Sequence, residues 1–158
     1  MVGIAHSLLK DAAHIFNVAS SEQAATASDF SNIQLFNPAT SGKNVLVDGV
    51  MVSVDDPDTV RWGLTETELD GTAGVIKTNR GGAYGGDVEI TAEADSPTAT
   101  TYLAAADTLG RVSAGDEGTP LWSQGKFVIL PPGFGLTIVK QTVNEALYAT
   151  FTFSELDE

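Results

Sequence analysis

From Leu147 to Ser154 the chain alternates without a break: Leu147, Ala149, Phe151 and Phe153 are apolar, and Tyr148, Thr150, Thr152 and Ser154 carry polar groups. Neighbouring side chains of an extended strand point to opposite faces, whereas a helix brings a residue back to the same face after about 3.6 positions. A strict period of two therefore excludes a helix and gives one oily and one polar face. Such a strand cannot stand alone in water. It needs partners beside it and a second apolar layer across from it, so layered β structure is the first expectation.

The rest of the sequence supplies candidate partners. Ile33 and Leu35 alternate with Asn32 and Gln34. Asn44 to Val54 is apolar on both faces around Asp48 and Gly49, and glycine inside a strand marks a bulge or a close backbone approach. Val60, Trp62 and Leu64 alternate with Arg61 and Gly63, and Val88, Ile90 and Ala92 alternate with Asp87, Glu89 and Thr91. Thr100 to Leu103 is a weaker candidate, and Leu121-Trp122 a strand stub. Asp107 to Pro120, with Gly110, Gly115 and Gly118, reads as a long loop, and so does the glycine-rich stretch Thr78 to Gly86. Two segments stand out. Ser31 to Val54 reads as strand, tight turn and strand, with turn chemistry at Asn37-Pro38 and Ser41-Gly42. Phe127 to Glu158 reads the same way around Leu130-Pro-Pro-Gly-Phe-Gly135. Both are expected to form the core, with residues 65–125 supplying loops. About eight short strands with regular turn signals predict an all-β fold, an antiparallel β-sandwich, jelly-roll-like.

Residues 1–27 differ from this pattern and are expected to form a short N-terminal arm before a β-sandwich domain of residues 28–158. Leu8, Ala12, Ile15 and Phe16 fall at helical spacing, while His14 to Val18 reads equally well as a first strand. As an arm, the segment would offer Leu8, Leu9, Ile15 and Phe16 to a partner. No apolar run approaches the ~18 residues that span a bilayer. The start lacks the basic and continuous apolar regions of a signal peptide, so the chain is expected to be used as made.

Charge and composition remove whole classes of function. The chain has 21 acids against 8 bases, a net charge of −13. Nucleic-acid binding needs a basic footprint that displaces counterions, so it is not expected. There is no cysteine, hence no disulfide and no thiolate site. The two histidines, His6 and His14, both lie in the arm, and helical spacing would separate them by roughly 12 Å, too far to share a metal. No Ser-His-Asp set can be assembled outside the arm. Asp55, Asp56 and Asp58 could offer oxygen ligands to Ca²⁺, but their spacing is not that of an EF-hand and a solvated turn is the simpler reading. Asp87 and Glu89 share a face as a glycosidase pair would, yet exposed strand carboxylates are usually solvent-side residues. Gly81 to Gly86 lacks the Lys-Ser/Thr of a phosphate loop and reads as a surface loop offering Asn79, Arg80 and Tyr84 for contact. Trp62, Tyr84, Tyr102 and Trp122 read as an aromatic sugar platform or, for the tryptophans, as core anchors. No catalytic residue, cofactor or metal is assigned, and the chain is not expected to be an enzyme.

The run Asn32-Ile-Gln-Leu-Phe-Asn-Pro-Ala-Thr-Ser-Gly-Lys-Asn-Val-Leu-Val-Asp48, followed by the Leu-Pro-Pro-Gly-x-Gly-Leu turn and a last strand ending in acids, resembles small virion proteins of tailed bacteriophages. The likeness covers some 60 residues by pattern and leaves the middle loops unmatched. It implies a β-sandwich and an assembly role: a capsid decoration or cement protein on the virion surface, bound to the major capsid protein and forming a homo-oligomer, with a trimer favoured. It implies neither catalytic residues, nor nucleic acid, nor a membrane. The alternative is a head-fibre or tail component that binds a host glycan through its loops.

Overall fold

A computed structural model describes residues 15–19, 28–78, 84–95, 103–104, 107–123 and 125–157. These form twelve strands: β1 (Ile15–Ala19), β2 (Phe30–Asn37), β3 (Lys43–Val54), β4 (Asp58–Thr65), β5 (Thr72–Ala73), β6 (Lys77–Thr78), β7 (Glu89–Asp95), β8 (Thr108–Ala114), β9 (Thr119–Pro120), β10 (Val128–Leu130), β11 (Phe134–Lys140) and β12 (Leu147–Asp157). They make two antiparallel sheets of six strands each. The first runs β10-β3-β12-β1-β6, with β9 also on β3, and the second runs β5-β7-β2-β11-β4-β8. The chain is thus an all-β sandwich, and the alternation in Leu147–Ser154 places Leu147, Ala149, Phe151 and Phe153 in the layer between the sheets. Facing them from the second sheet are Ile33, Leu35, Val60, Leu136 and Ile138, all fully buried. Each such side chain contributes about 1.5–3 kcal/mol through burial.

Both turn segments are strand–turn–strand units, but neither is a hairpin. β2 lies in the second sheet and β3 in the first, and β10 and β11 are divided in the same way. The turns at 38–42 and 131–133 are corners that carry the chain across the sandwich. The corners sit side by side, because β2 pairs β11 with Asn37 opposite Phe134. Asn37 ties them: its Nδ2 donates to Lys43 O at 2.8 Å and to Leu130 O at 3.0 Å, and its carbonyl accepts from Gly133 N at 2.7 Å. Gly133 has φ of 86°, a conformation glycine takes without strain. Period and turn residues alone do not distinguish a hairpin from a corner. The tie through Asn37 does.

The bulge expected near Gly49 is present. The β3–β12 register slips so that Thr152 faces Gly49 while Phe153 faces Val47, leaving Asp48 as the extra residue. One extra residue reverses the parity of a strand. Val45 and Val47 on one side of the slip, and Val50, Val52 and Val54 on the other, consequently all point inward. That explains why this strand looks apolar on both faces in sequence. Asp48 stays at the surface side, where partial burial pushes its carboxyl up from the usual value.

Two expectations change. Residues 15–19 are not part of a detached arm: they form β1, paired with β12 from Ile15 opposite Ser154 to Ala19 opposite Thr150. This is the first-strand reading of that stretch, and no helix includes these residues. Asp107–Pro120 is not one long loop, because Thr108–Ala114 is β8, paired along β4. Of Thr100–Leu103, only Leu103 lies within the described residues, and it is buried.

Candidate interaction surface

Val60, Trp62 and Leu64 alternate inward along β4 because of its period-two pattern, but β4 lies next to the edge of its sheet, with only β8 beyond it. An indole is too large to be enclosed there. Trp62 meets Trp122 at a centroid distance of 5.1 Å and an interplanar angle of 56°. Gly110 of β8 lies directly on the Trp62 ring: a Cβ at that position would stand 2.6 Å from ring atoms. The glycine that makes Asp107–Pro120 resemble a loop is therefore the residue that lets an edge strand pass over an indole.

The strand also slips here. Trp62 faces Gly110 and Gly63 faces Thr108, so Leu109 is the extra residue of a second bulge and is 59% exposed. Across from it, the segment between β9 and β10 presents Phe127, 60% exposed. Between the two lies an open cavity of about 550 Å³, lined by Trp62, Trp122, Leu109, Phe127, Arg111 and Lys126 among others. Exposed Leu109 and Phe127 thus stand beside two half-buried indoles at the rim of one open groove.

The electrostatics of this groove run against the rest of the chain. Arg61 and Arg111 stand opposite each other on β4 and β8. Like charges directly across a ladder repel. Burial, and then the charge of Arg111, lower the pKa of the Arg61 guanidinium from its ordinary value. Two donors, Arg61 Nε and Trp122 Nε1, are buried without a hydrogen-bond acceptor among the described residues. By contrast, Lys43 is paired with Glu155 at 3.1 Å, and the fully buried Lys140 with Glu145. In a chain of net charge −13, two cations, Arg111 and Lys126, thus line one groove, with Arg61 opposite Arg111 on the neighbouring strand.

The residues singled out from sequence lie elsewhere. Leu8, Leu9, Asn79, Arg80, Tyr102, His6 and His14 fall outside the described residues. Ile15 is in β1. Phe16 is not a free anchor for a partner. It is 8% exposed and packs against Phe153 at 5.2 Å and edge-on to Tyr84 at 4.8 Å. Tyr84 is likewise no free loop contact: its hydroxyl donates to Glu155 Oε1 and accepts from Val88 N at 3.1 Å. Burial, reinforced by Glu155, pushes its pKa up beyond any working pH. Asp55, Asp56 and Asp58 do not converge. Asp58 accepts from Thr142 N at 2.9 Å, and among the described residues no three His, Cys, Asp or Glu side chains gather as a metal site would require. Glu89 has Glu68 as a hydrogen-bonded acidic neighbour. Burial first, then the hydrogen bond and charge of Glu89, push the Glu68 carboxyl up. Both Glu68 and Glu89 are exposed, so no enclosed site surrounds the pair.

Sequence reasoning found Trp62 and Trp122 but missed Leu109, Arg111, Lys126 and Phe127. The signal available was Leu109, Arg111 and Ser113 alternating with Gly110, Val112 and Ala114, which the glycines at 110 and 115 obscured. No family model, curated protein or solved structure matches this chain.

Proposed function

We propose that this chain is a structural virion protein that decorates and stabilises a tailed-phage capsid, bound to the major capsid protein at the capsid surface as a homo-oligomer, with a trimer favoured. The observation that carries this reading is the groove. Exposed Leu109 and Phe127, two indoles and the cations Arg111 and Lys126 make a surface suited to holding a protein partner rather than to transforming a substrate. The likeness of Asn32–Asp48 and of the Leu130–Leu136 turn to phage virion proteins supplies the kind of partner. The acidic remainder of the surface keeps the chain soluble and turns it away from other acidic faces. Docking weak on its own becomes firm when repeated around a symmetric shell.

The test is co-sedimentation of the full chain with purified empty shells of a tailed phage. The chain is expected to pellet with the shells and to do so far less when Arg111→Glu and Lys126→Glu are combined. No binding by the unchanged chain to any shell tested, with full adsorption to host cells instead, would replace this reading with the receptor-binding one. That second reading has one observation of its own: tilted indoles beside cations also suit an acidic sugar.

A further inference from the structure

Among the described residues the sheet orders end on β10, β6, β5 and β8, and the two-residue β9 sits beside β10 on the same edge of β3. The first three have 3, 2 and 2 residues. β8 has 7 and, among the described residues, pairs only with β4. Short edge strands, prolines and bulges are the usual means of keeping a sheet from pairing with other chains. Three edges here are blunted by brevity. On β8 the bulge at Leu109 touches one end only, no proline interrupts Thr108–Ala114, and the free edge borders the groove of Trp62, Trp122 and Phe127.

We propose that β8 takes up an extended, acidic segment of the partner polypeptide as an added strand, with apolar side chains in the groove and carboxylates on Arg111, Lys126 and the neighbourhood of Arg61. This rests on the reading of the groove as the docking face. An added strand gains main-chain hydrogen bonds along the edge, while pockets beside it select alternate side chains. The indole pair and Leu109 provide such pockets at one spacing. Arg111 and Lys126 provide the charge preference, and Trp122, which lines the groove, has a buried Nε1 without an acceptor among the described residues. A basic or neutral segment would leave Arg61 and Arg111 facing each other uncompensated. An acidic one relieves that repulsion. The occupant is the docking partner of the proposed function, and a second copy of this chain is the competing occupant that the dimer outcome below detects.

The experiment uses the full chain and two synthetic probes, a short peptide alternating valine with glutamate and its counterpart alternating valine with lysine. Binding is followed by backbone amide shifts and hydrogen exchange. The glutamate peptide is expected to bind, to slow exchange at amides of residues 108–114, and to lose roughly ten-fold in affinity to Arg111→Glu combined with Lys126→Glu. The lysine peptide is expected not to bind. Slowed exchange at β6 or β10 instead, equal binding of both peptides, or displacement of the glutamate peptide by polygalacturonate but not by shells would overturn the proposal, as would a dimer that buries β8 in the absence of any peptide. If shells bind the unchanged chain through Arg111 and Lys126 while the peptide leaves β8 exchange unaltered, strand addition fails and the docking face stands. If the peptide protects β8 while no shell binds, the capsid reading fails and strand addition stands.

Discussion

Replacing Phe16 by alanine tests whether β1 belongs to the sandwich or to a free arm. The ring is 8% exposed, stacked near Phe153 at 5.2 Å and edge-on to Tyr84 at 4.8 Å with an interplanar angle of 72°. Truncating a buried phenylalanine costs about 3–5 kcal/mol, because transfer energy is lost and a cavity remains. About 0.5–1.5 kcal/mol of that belongs to the ring pairing. β1 has strands on both sides, β12 and β6, which restrains collapse into the gap, so about 4 kcal/mol is the expected loss. A domain holds only about 5–15 kcal/mol in total. With a urea slope near 2 kcal/mol per M, the midpoint should fall by about 2 M. The natural assay is urea unfolding followed by tryptophan emission, since Trp62 and Trp122 lie in the same sandwich. Leu109→Ala, at a position 59% exposed, is the control and should stay within about 0.5 kcal/mol of the unchanged chain. Equal midpoints for Phe16→Ala and the unchanged chain would refute the placement of β1 and return residues 15–19 to the arm. The same reasoning changes the meaning of an N-terminal deletion. Removing residues 1–27 takes away β1 with its buried Phe16 and Val18, so lost shell binding by that truncation would report unfolding as much as a missing clamp.

Further outcomes are expected elsewhere. Gln34, fully buried, donates from one amide nitrogen toward Thr65 Oγ1, Thr67 O and Thr137 Oγ1 at 2.8–2.9 Å and accepts from Leu69 N at 3.0 Å; Gln34→Met orphans the Leu69 amide and the Thr67 carbonyl and should cost about 3 kcal/mol in the same urea assay. Gly110→Val drives a Cβ into the Trp62 ring, so it should cost about 1–3 kcal/mol and shift the emission of Trp62 toward that of a solvated indole. The folded chain holds the Glu68 carboxyl above its usual value of 4.5, so the native state binds that proton more tightly than the unfolded state does. Stability from this group therefore rises as pH falls from above the raised value toward 4.5, and a pH series of midpoints should lose that slope in Glu68→Gln.

The fold was legible where the pattern was local. The alternation of Leu147–Ser154 and of Val60–Leu64 names strands and their inner faces, and Gly49 announces the slip at Asp48. What sequence could not supply was the partner across the sandwich. Asn37-Pro38 and Pro131-Pro132-Gly133 signal reversals of the chain, but whether a reversal stays in one sheet depends on contacts made by β12 and β11, which are distant in sequence. β8 was hidden for a related reason. Its glycine at 110 disfavours a strand by local propensity, and only the Trp62 ring beneath it explains the residue. The groove was half visible: the indoles drew attention as a platform and Phe127 opens a segment that reads as a strand, while Leu109 and Arg111 belong to a stretch that reads as a loop.

The groove as docking face is tested most directly by imaging shells mixed with the full chain. The chain is expected at regular surface positions, with Trp62, Trp122, Leu109 and Phe127 turned onto the major capsid protein and the strands far from β8 turned outward. Chains found on the shell with this groove open to solvent, or confined to the tail, would contradict it.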